Sequence, residues 1–401
     1  MIEIEYLMFV LYGILSFWAV SALLLRLPPF FKSSKQHLFR EVQVIGHRGS
    51  RAEGIPENTL AAFAGAQKAG VDCLELDVWC TADGEVCVFH DKNFQRMCGG
   101  VPSKNSSEKN VPGGGIPDVA SVGGLPDLNP TAPEQREHLV PGDSKCCRIP
   151  TLKQVLESIP PDLPLIVEFK QGGEIIEKVL DLLVAHGRLR PSTTRPSVSL
   201  PSPPPHSSHT PVAAAVTASY YSSCTPTNGG STAWFSLSPP INQELRAKNR
   251  NLPSIVSAPE MLKVYLLYYA GLLPFAPLRS LDLFGFPADK VDYARVRENL
   301  KSVPSWLCRG LAAVVGGEPA GFFLCPKLVA HLRARGVPVL LLGGNNDEAL
   351  KAAVQVGASA VLTDRPAWLT DLARSQKRGL GLGVVVDTHE SAARGSHHKN
   401  H

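Results

Sequence analysis

Val44-Ile45-Gly46-His47-Arg48-Gly49, Pro56-Glu57-Asn58-Thr59, Cys73-Leu74-Glu75-Leu76-Asp77-Val78 and Val86-Cys87-Val88-Phe89-His90-Asp91 follow one another in one stretch of the chain, and most of these short apolar runs end on ionisable side chains. The first run reads as a strand over residues 43–46 that delivers His47 and Arg48. A helix follows, opening at Pro56-Glu57-Asn58-Thr59 with Asn58 or Thr59 as its cap, and runs through an alanine-rich segment to Gly70. A second strand over 73–78 carries Glu75 and Asp77 two residues apart, and because strand side chains alternate faces both carboxylates point the same way. A third strand over 85–89 ends on His90 and Asp91, and much later Leu165-Ile166-Val167 runs into Glu168 and Lys170, again a pair on one face.

Strands that alternate with helical segments imply βα units and a parallel sheet, and the length of 401 residues accommodates one (β/α)8 barrel with extensions. In such a barrel the C-terminal ends of the strands form one face, and reactive residues from several strands meet there. The inventory at those ends points to a chemistry. Glu75, Asp77 and Glu168 make a hard, oxygen-rich set suited to Mg2+ or Ca2+. His47 and His90 offer a general acid and a general base near neutral pH, with the roles interchangeable. Arg48 and Lys170 add positive charge for an anionic group, most simply a phosphate. Glu57, Asn58 and Thr59 read equally as helix caps or as support for the site.

His47-Arg48-Gly49, Glu57-Asn58-Thr59, Glu75-Leu76-Asp77 and His90-Asp91 together resemble the signature of the glycerophosphodiester phosphodiesterases, in order and in approximate spacing. The resemblance extends from about residue 1 to about 373 and is closest to the membrane-anchored, lysophospholipase D type. It implies a TIM barrel in which Glu75, Asp77 and Glu168 hold the metal while His47 and His90 do the acid/base work. It also implies attack on phosphorus by the substrate's own glycerol hydroxyl, with a cyclic phosphate that water then opens. One departure stands out: relatives carry a tryptophan where this chain has Leu342, on the glycerol side of the substrate.

Outside that stretch, residues 6–25 form an uncharged apolar run that, at 1.5 Å rise per residue, covers roughly 30 Å and reads as a membrane helix. Glu3 and Glu5 precede it, unlike the basic leader of a cleaved signal peptide, and Arg26, Lys32, Lys35 and Arg40 follow it, which places the barrel on the cytosolic side. An endoplasmic reticulum or other internal membrane is the expected location. The nine cysteines are scattered without a CxxC pair, as in a reducing compartment. Asn105-Ser106-Ser107 is a glycosylation sequon that a cytosolic barrel would leave unmodified. A net charge of +4 with no basic stripe gives no reason to expect nucleic acid as a partner; the oligomeric state is open.

The expected division is an anchor and basic segment over 1–40, a barrel over 41–373 and a disordered tail over 374–401. Residues 99–143 form a long excursion that either builds substrate specificity or is a plain surface loop. Residues 149–159 read as the helix before the Glu168 strand. Residues 191–231, almost free of charge and rich in Pro, Ser and Thr, read as a disordered insertion or a splicing artefact. A strand over 232–235 includes Trp234, which matches an aromatic of the relatives. The apolar, tyrosine-rich segment 255–278 reads either as a hairpin on the active-site face that dips into a membrane or as a buried helix. Strands over 337–342 and 360–362 close the barrel.

From these features the expected function is metal-dependent hydrolysis of lysophospholipids, releasing lysophosphatidic acid and a head-group alcohol or N-acylethanolamine. Water-soluble glycerophosphodiesters are the alternative substrates. A catalytically impaired, membrane-anchored lipid-binding barrel is the alternative outside enzymology.

Overall fold

The computed structural model describes residues 2–25, 44–51, 55–98, 148–191, 224–226, 232–278, 282–287 and 325–377, together with 116, 124–125 and 128. Short β-branched and leucine-rich runs form β1 (Val44–His47), β2 (Cys73–Cys80), β3 (Val86–Val88), β4 (Leu165–Phe169), β5 (Thr232–Phe235), β6 (Phe284–Pro287), β7 (Val339–Leu342) and β8 (Ala360–Thr363). Besides a short turn of helix at Gln95–Cys98, the helices are α1 (Ile2–Leu24), α2 (Leu60–Ala69), α3 (Leu152–Ser158), α4 (Ile175–Ala185), α5 (Pro239–Lys248), α6 (Ala258–Tyr269), α7 (Pro326–Ala334), α8 (Asp347–Val356) and α9 (Pro366–Lys377).

All strands but β3 pair in parallel, in the order β5-β4-β2-β1-β8-β7-β6. Parallel bridges from Ser254 to Trp234 and from Ile255 to Leu283 carry the ring onward from β5 to β6, so that the strands and this bridging segment close a barrel. Side-chain parity then divides the interior into two cores. Ile45, Cys73, Ile166, Ala233, Ile255 and Leu340 belong to one buried cluster to which each segment of the ring contributes. The alternate residues, among them Val44, Leu74, Leu76, Val167 and Trp234, face the helices and join the larger outer core with Phe63 of α2 and Val179 of α4. Full burial of each such side chain contributes roughly 1.5–3 kcal/mol.

Local signals set the helix limits. Thr59 caps α2 by accepting from the Ala62 amide, and Gly70, at φ +80°, ends it in the left-handed conformation a glycine adopts without strain. Thr151 and Gln154 close a capping box at the start of α3. On α4, Ile175, Ile176, Val179, Leu180 and Leu183 form the buried face.

Two expectations are corrected, and two readings are narrowed. The strand before His90 does not belong to the parallel ring: β3 runs antiparallel to the end of β2, with Val78 opposite Val88 and Cys80 opposite Val86. The same pairing prolongs β2 to Cys80, beyond the limit read from the sequence. The segment after the fifth ring strand does not sit as a hairpin on the active-site face. It forms α6, which begins after Ser257 and runs back, as barrel helices do, so that the turn over 270–276 directly precedes β6 at the strand-start end. The segment 191–231 is not disordered throughout: Cys224 is buried, and Thr225–Pro226 pairs with Leu189–Arg190.

The apolar run near the start does form a helix, the 23-residue α1. Among the described residues no helix is long and apolar enough to cross a membrane, and the side chains of α1 are described from Met8 onward. The six described cysteines, including Cys73, Cys80 and Cys87, are free thiols. The sequon at Asn105, most of the 99–143 excursion, the basic residues Arg26, Lys32, Lys35 and Arg40, and the tail beyond 377 lie outside the described residues.

Candidate active site

Counting two residues along each ring strand from the interior cluster moves from apolar to ionisable side chains. Ile45 is followed by His47, Cys73 by Glu75 and then Asp77, and Ile166 by Glu168. Parallel register aligns them, with His47 opposite Glu75 and Asp77 opposite Glu168. The same parity brings Phe235 after Ala233 and Leu342 after Leu340, both half-buried against the interior cluster. Trp234 has the opposite parity and packs edge-on against Phe169 in the outer core, 6.0 Å between ring centres.

Glu75, Asp77 and Glu168 are all buried and each offers an oxygen within 4.8 Å of the others, a spacing that can hold a metal ion. Oε1 of Glu75 is buried without a hydrogen-bond partner. A buried carboxylate oxygen left unpaired is costly, and a cation bound by the cluster would satisfy it. The donor set therefore fits a hard divalent cation. Without one, burial first and then the charge of Asp77 push the Glu75 carboxyl well above the usual range. Burial and Asp77 likewise raise Glu168, to about 7. Burial also opposes ionisation of Asp77, but Lys170 and Arg48 overcome it and hold that carboxyl below its ordinary value.

Arg48 and Lys170 stand inside the cluster. Lys170 Nζ lies 2.9 Å from Asp77 and 2.6 Å from Glu168. Arg48 reaches Glu57 at 3.0 Å and Asp77 at 3.3 Å, and its amide donates to the Glu75 carboxylate. The backbone reaches this position through an unusual turn. Arg48 has φ +56° and Gly49 φ +88°, and a Cβ on Gly49 would lie 2.6 Å from the Ala62 carbonyl carbon. Only glycine fits after Arg48, where the chain presses on the first turn of α2.

Asn58 and Glu57 prove to be more than capping residues. Thr59 is the cap, while Asn58, held at φ +58°, donates to Asp77 at 2.8 Å. Glu57 is buried beneath three arginines, Arg48, Arg51 and Arg96.

Both histidines are held by an aspartate. Nδ1 of His90 lies 2.7 Å from Asp91, which Arg96 in turn grips through two nitrogens at 2.7 and 2.9 Å. Nδ1 of His47 lies 2.6 Å from Asp364, and its Nε2 is 4.0 Å from Glu75. Asp364 sits just past β8, where Asn345 donates to its carboxylate and accepts from its amide. Sequence reasoning missed Asp364, Asn345 and Arg96. The first two carry a usable signal, since both lie just beyond ring strands, at the face where the other site residues gather.

Residues 47–188 match the glycerophosphoryl diester phosphodiesterase family. Human lysophospholipase D GDPD1 is 28% identical over 88% of this chain and 92% of its own length. Human lysophospholipase D GDPD3 is 25% identical over 95% of this chain and 96% of its own. Among solved structures, the glycerophosphoryl diester phosphodiesterase domain of a Mycobacterium tuberculosis protein covers 83% of this chain and 99% of that domain, with a TM-score of 0.51 at 17% identity. That likeness bears on the fold and agrees with the closed parallel ring. The matched region begins at His47 and contains both histidines, the carboxylate cluster and the arginine-braced Glu57, so the chain carries a glycerophosphoryl diester phosphodiesterase family domain and is a phosphodiester hydrolase.

Proposed function

We propose that the protein is a lysophospholipase D, which cleaves the head-group phosphodiester of a single-chain glycerophospholipid to lysophosphatidic acid and choline, ethanolamine or an N-acylethanolamine. The observation that carries this reading is the convergence of one carboxylate cluster with two aspartate-held histidines. The names of the human relatives, and matches that cover most of both chains, support the substrate class.

Glu75, Asp77 and Glu168 would hold Mg2+ or Ca2+, which when bound supplies Lewis acidity toward the phosphoryl oxygens. The remaining steps belong to the chain's own residues. One histidine accepts the proton of the substrate's free glycerol hydroxyl as that oxygen attacks phosphorus. The other donates a proton to the departing head-group oxygen, and water then opens the cyclic phosphate. With Nδ1 of each ring engaged by Asp364 or Asp91, Nε2 is the nitrogen that exchanges protons with the substrate. Arg48 and Lys170 balance the charge of Asp77 and bring positive potential to the phosphate. An internal nucleophile gains effective molarity, which a diacyl lipid lacking the hydroxyl forfeits.

In this reading the uncharged apolar run over residues 6–25, which the sequence offers as an anchor, holds the chain in the membrane of the endoplasmic reticulum or another internal membrane. The barrel, residues 41–373, works on the cytosolic side. A second reading, with water-soluble glycerophosphodiesters as substrates, is favoured by one observation: α1 meets the barrel at Gly271, at the end of the strands away from the carboxylates.

Head-group release from lysophosphatidylcholine, diacyl phosphatidylcholine and glycerophosphocholine tests the proposal. Turnover of the lysolipid and none of the diacyl lipid is expected. Turnover of glycerophosphocholine alone would replace the lysolipid by the soluble substrate. Silence on all three would leave a lipid-binding barrel.

A further inference from the structure

Phe9, Val10, Leu11 and Tyr12 are consecutive, so together they go once round α1, and all four are exposed. A helix apolar on every face needs an apolar medium. Near its end α1 meets the barrel. The buried hydroxyl of Ser21 donates to the Gly271 carbonyl at 2.7 Å, and the ring of Phe17 stacks on Phe275, centres 6.3 Å apart. Gly271 holds φ +72°, which L side chains rarely adopt, and a Cβ there would press at 3.2 Å on side-chain atoms of both Phe17 and Ser21.

The turn that receives α1 continues its character. Leu266, Leu272 and Phe275 are exposed at 41, 44 and 45%. Beneath them much of the backbone is paired within the protein. Amides of Ala270, Gly271, Leu272, Phe275 and Ala276 donate to carbonyls of the same segment. The Gly271 carbonyl takes Ser21, and the carbonyls of Leu273 and Ala276 take the guanidinium of Arg335. Paired backbone under outward apolar side chains suits a hydrocarbon environment, because no water is there to pair with amides or carbonyls. Tyr268 and Tyr269, whose rings pack edge-on, bring the amphipathic side chains that favour a membrane boundary.

We propose that the end of α6 and the turn over 270–276 form a second membrane contact, buried in the acyl-chain boundary of the leaflet that α1 enters, with Ser21 and Gly271 as the joint between the two. The occupant is the acyl region of a phospholipid bilayer, argued from the continuity of the turn with α1. This rests on the membrane reading of α1 given above. It goes further in fixing which end of the barrel faces the lipid: the strand-start end, opposite the carboxylates.

The test uses the full chain reconstituted in phosphatidylcholine vesicles, with an environment-sensitive fluorescent amino acid placed at Leu272, at Leu15 of α1 or at Leu237, the last an exposed apolar position between β5 and α5, at the opposite end of the strands. Quenchers attached to the lipid acyl chains report contact. Strong quenching at Leu15 and Leu272, with Leu237 changed by less than a tenth, is the expected pattern. Quenching at Leu15 without Leu272 overturns the second contact and leaves the anchor intact. Absence at both positions overturns the membrane reading of α1 and the contact with it. Equal quenching at Leu272 and Leu237 shows unspecific adsorption and also overturns it. A Leu272 signal that follows protein concentration in detergent, and ignores the quencher, assigns the face to a second copy of the chain and overturns it as well.

Discussion

His47 and Asp364 stand 317 residues apart in the chain and 2.6 Å apart in the structure, Nδ1 of the ring against Oδ1 of the carboxylate. Strands β1 and β8 are neighbours in the ring, with Gly46 opposite Thr363, so closure of the barrel makes the pair. Burial opposes the charge on Asp364, but the bond to His47 and the charge of the ring bring its carboxyl down to about 2. Asp364 is therefore an anion across the physiological range, and it orients the ring.

Replacing Asp364 with asparagine keeps the shape and the bonds to Asn345 but turns an amide N–H toward Nδ1. That favours the tautomer with its proton on Nε2, which cannot accept another. We expect kcat to fall about 10³-fold, within the range of general acid–base contributions. Metal affinity and melting temperature should stay near the parent's. A steady-state comparison with a parallel metal titration measures this, and an equal loss of metal binding would assign Asp364 to folding of the site instead.

Glu168 makes the metal-free protein sensitive to pH. Its folded-state value is raised to about 7 from an ordinary 4.5, so the folded protein holds a proton that the unfolded chain releases between those values. The associated stability is present below the unfolded value and is lost as pH rises through about 7, on the order of 3 kcal/mol. Glu75 shifts in the same direction. Melting temperature measured in chelator should fall between pH 5 and pH 8 more steeply than in excess Mg2+ or Ca2+. Parallel curves would exclude metal binding at these carboxylates.

Gly49 has little room for a side chain. With φ +88° and the Ala62 backbone 2.6 Å from the place a Cβ would occupy, Gly49→Ala should cost about 2–4 kcal/mol. Chemical denaturation reads this directly, and a loss below about 0.5 kcal/mol would contradict the close approach of the turn to α2.

The bilayer contact proposed for the strand-start end would leave the catalytic mouth facing water, so a lysolipid would arrive as a desorbed monomer. Single-chain lipids leave a membrane readily, since each buried methylene adds only about 0.8 kcal/mol. The rate should therefore rise with lysolipid concentration up to the onset of micelles and then level off. A sharp rise beyond that onset would contradict this access route.

The sites on β1, β2 and β4 were legible in the sequence because those strands lead from apolar residues into charge. His47 and Glu168 accordingly fall at or next to the ends of β1 and β4, whereas Glu75 and Asp77 lie inside β2, whose continuation to Cys80 the pattern did not foretell. His90 was legible as a site residue and illegible as to its support, because Val86–Val88 reads the same whether it joins a parallel ring or folds back on β2. Asp364 and Asn345 were hidden for a different reason. Their role depends on the contact between first and last ring strands, and local periodicity carries no information on which distant strands adjoin. The turn at Gly271 was misplaced because its composition speaks of apolar surroundings and not of which end of the barrel it occupies.

Choline release from lysophosphatidylcholine by the detergent-solubilised full chain, with and without chelator and beside His90→Ala and Glu75→Ala, tests the central claim most directly. The account predicts turnover by the parent that stops on chelation and returns with added divalent cation. His90→Ala should fall by at least about 10²-fold while still binding the metal, and Glu75→Ala should lose both. Turnover that survives chelation, or a Glu75→Ala variant as active as the parent, would contradict it.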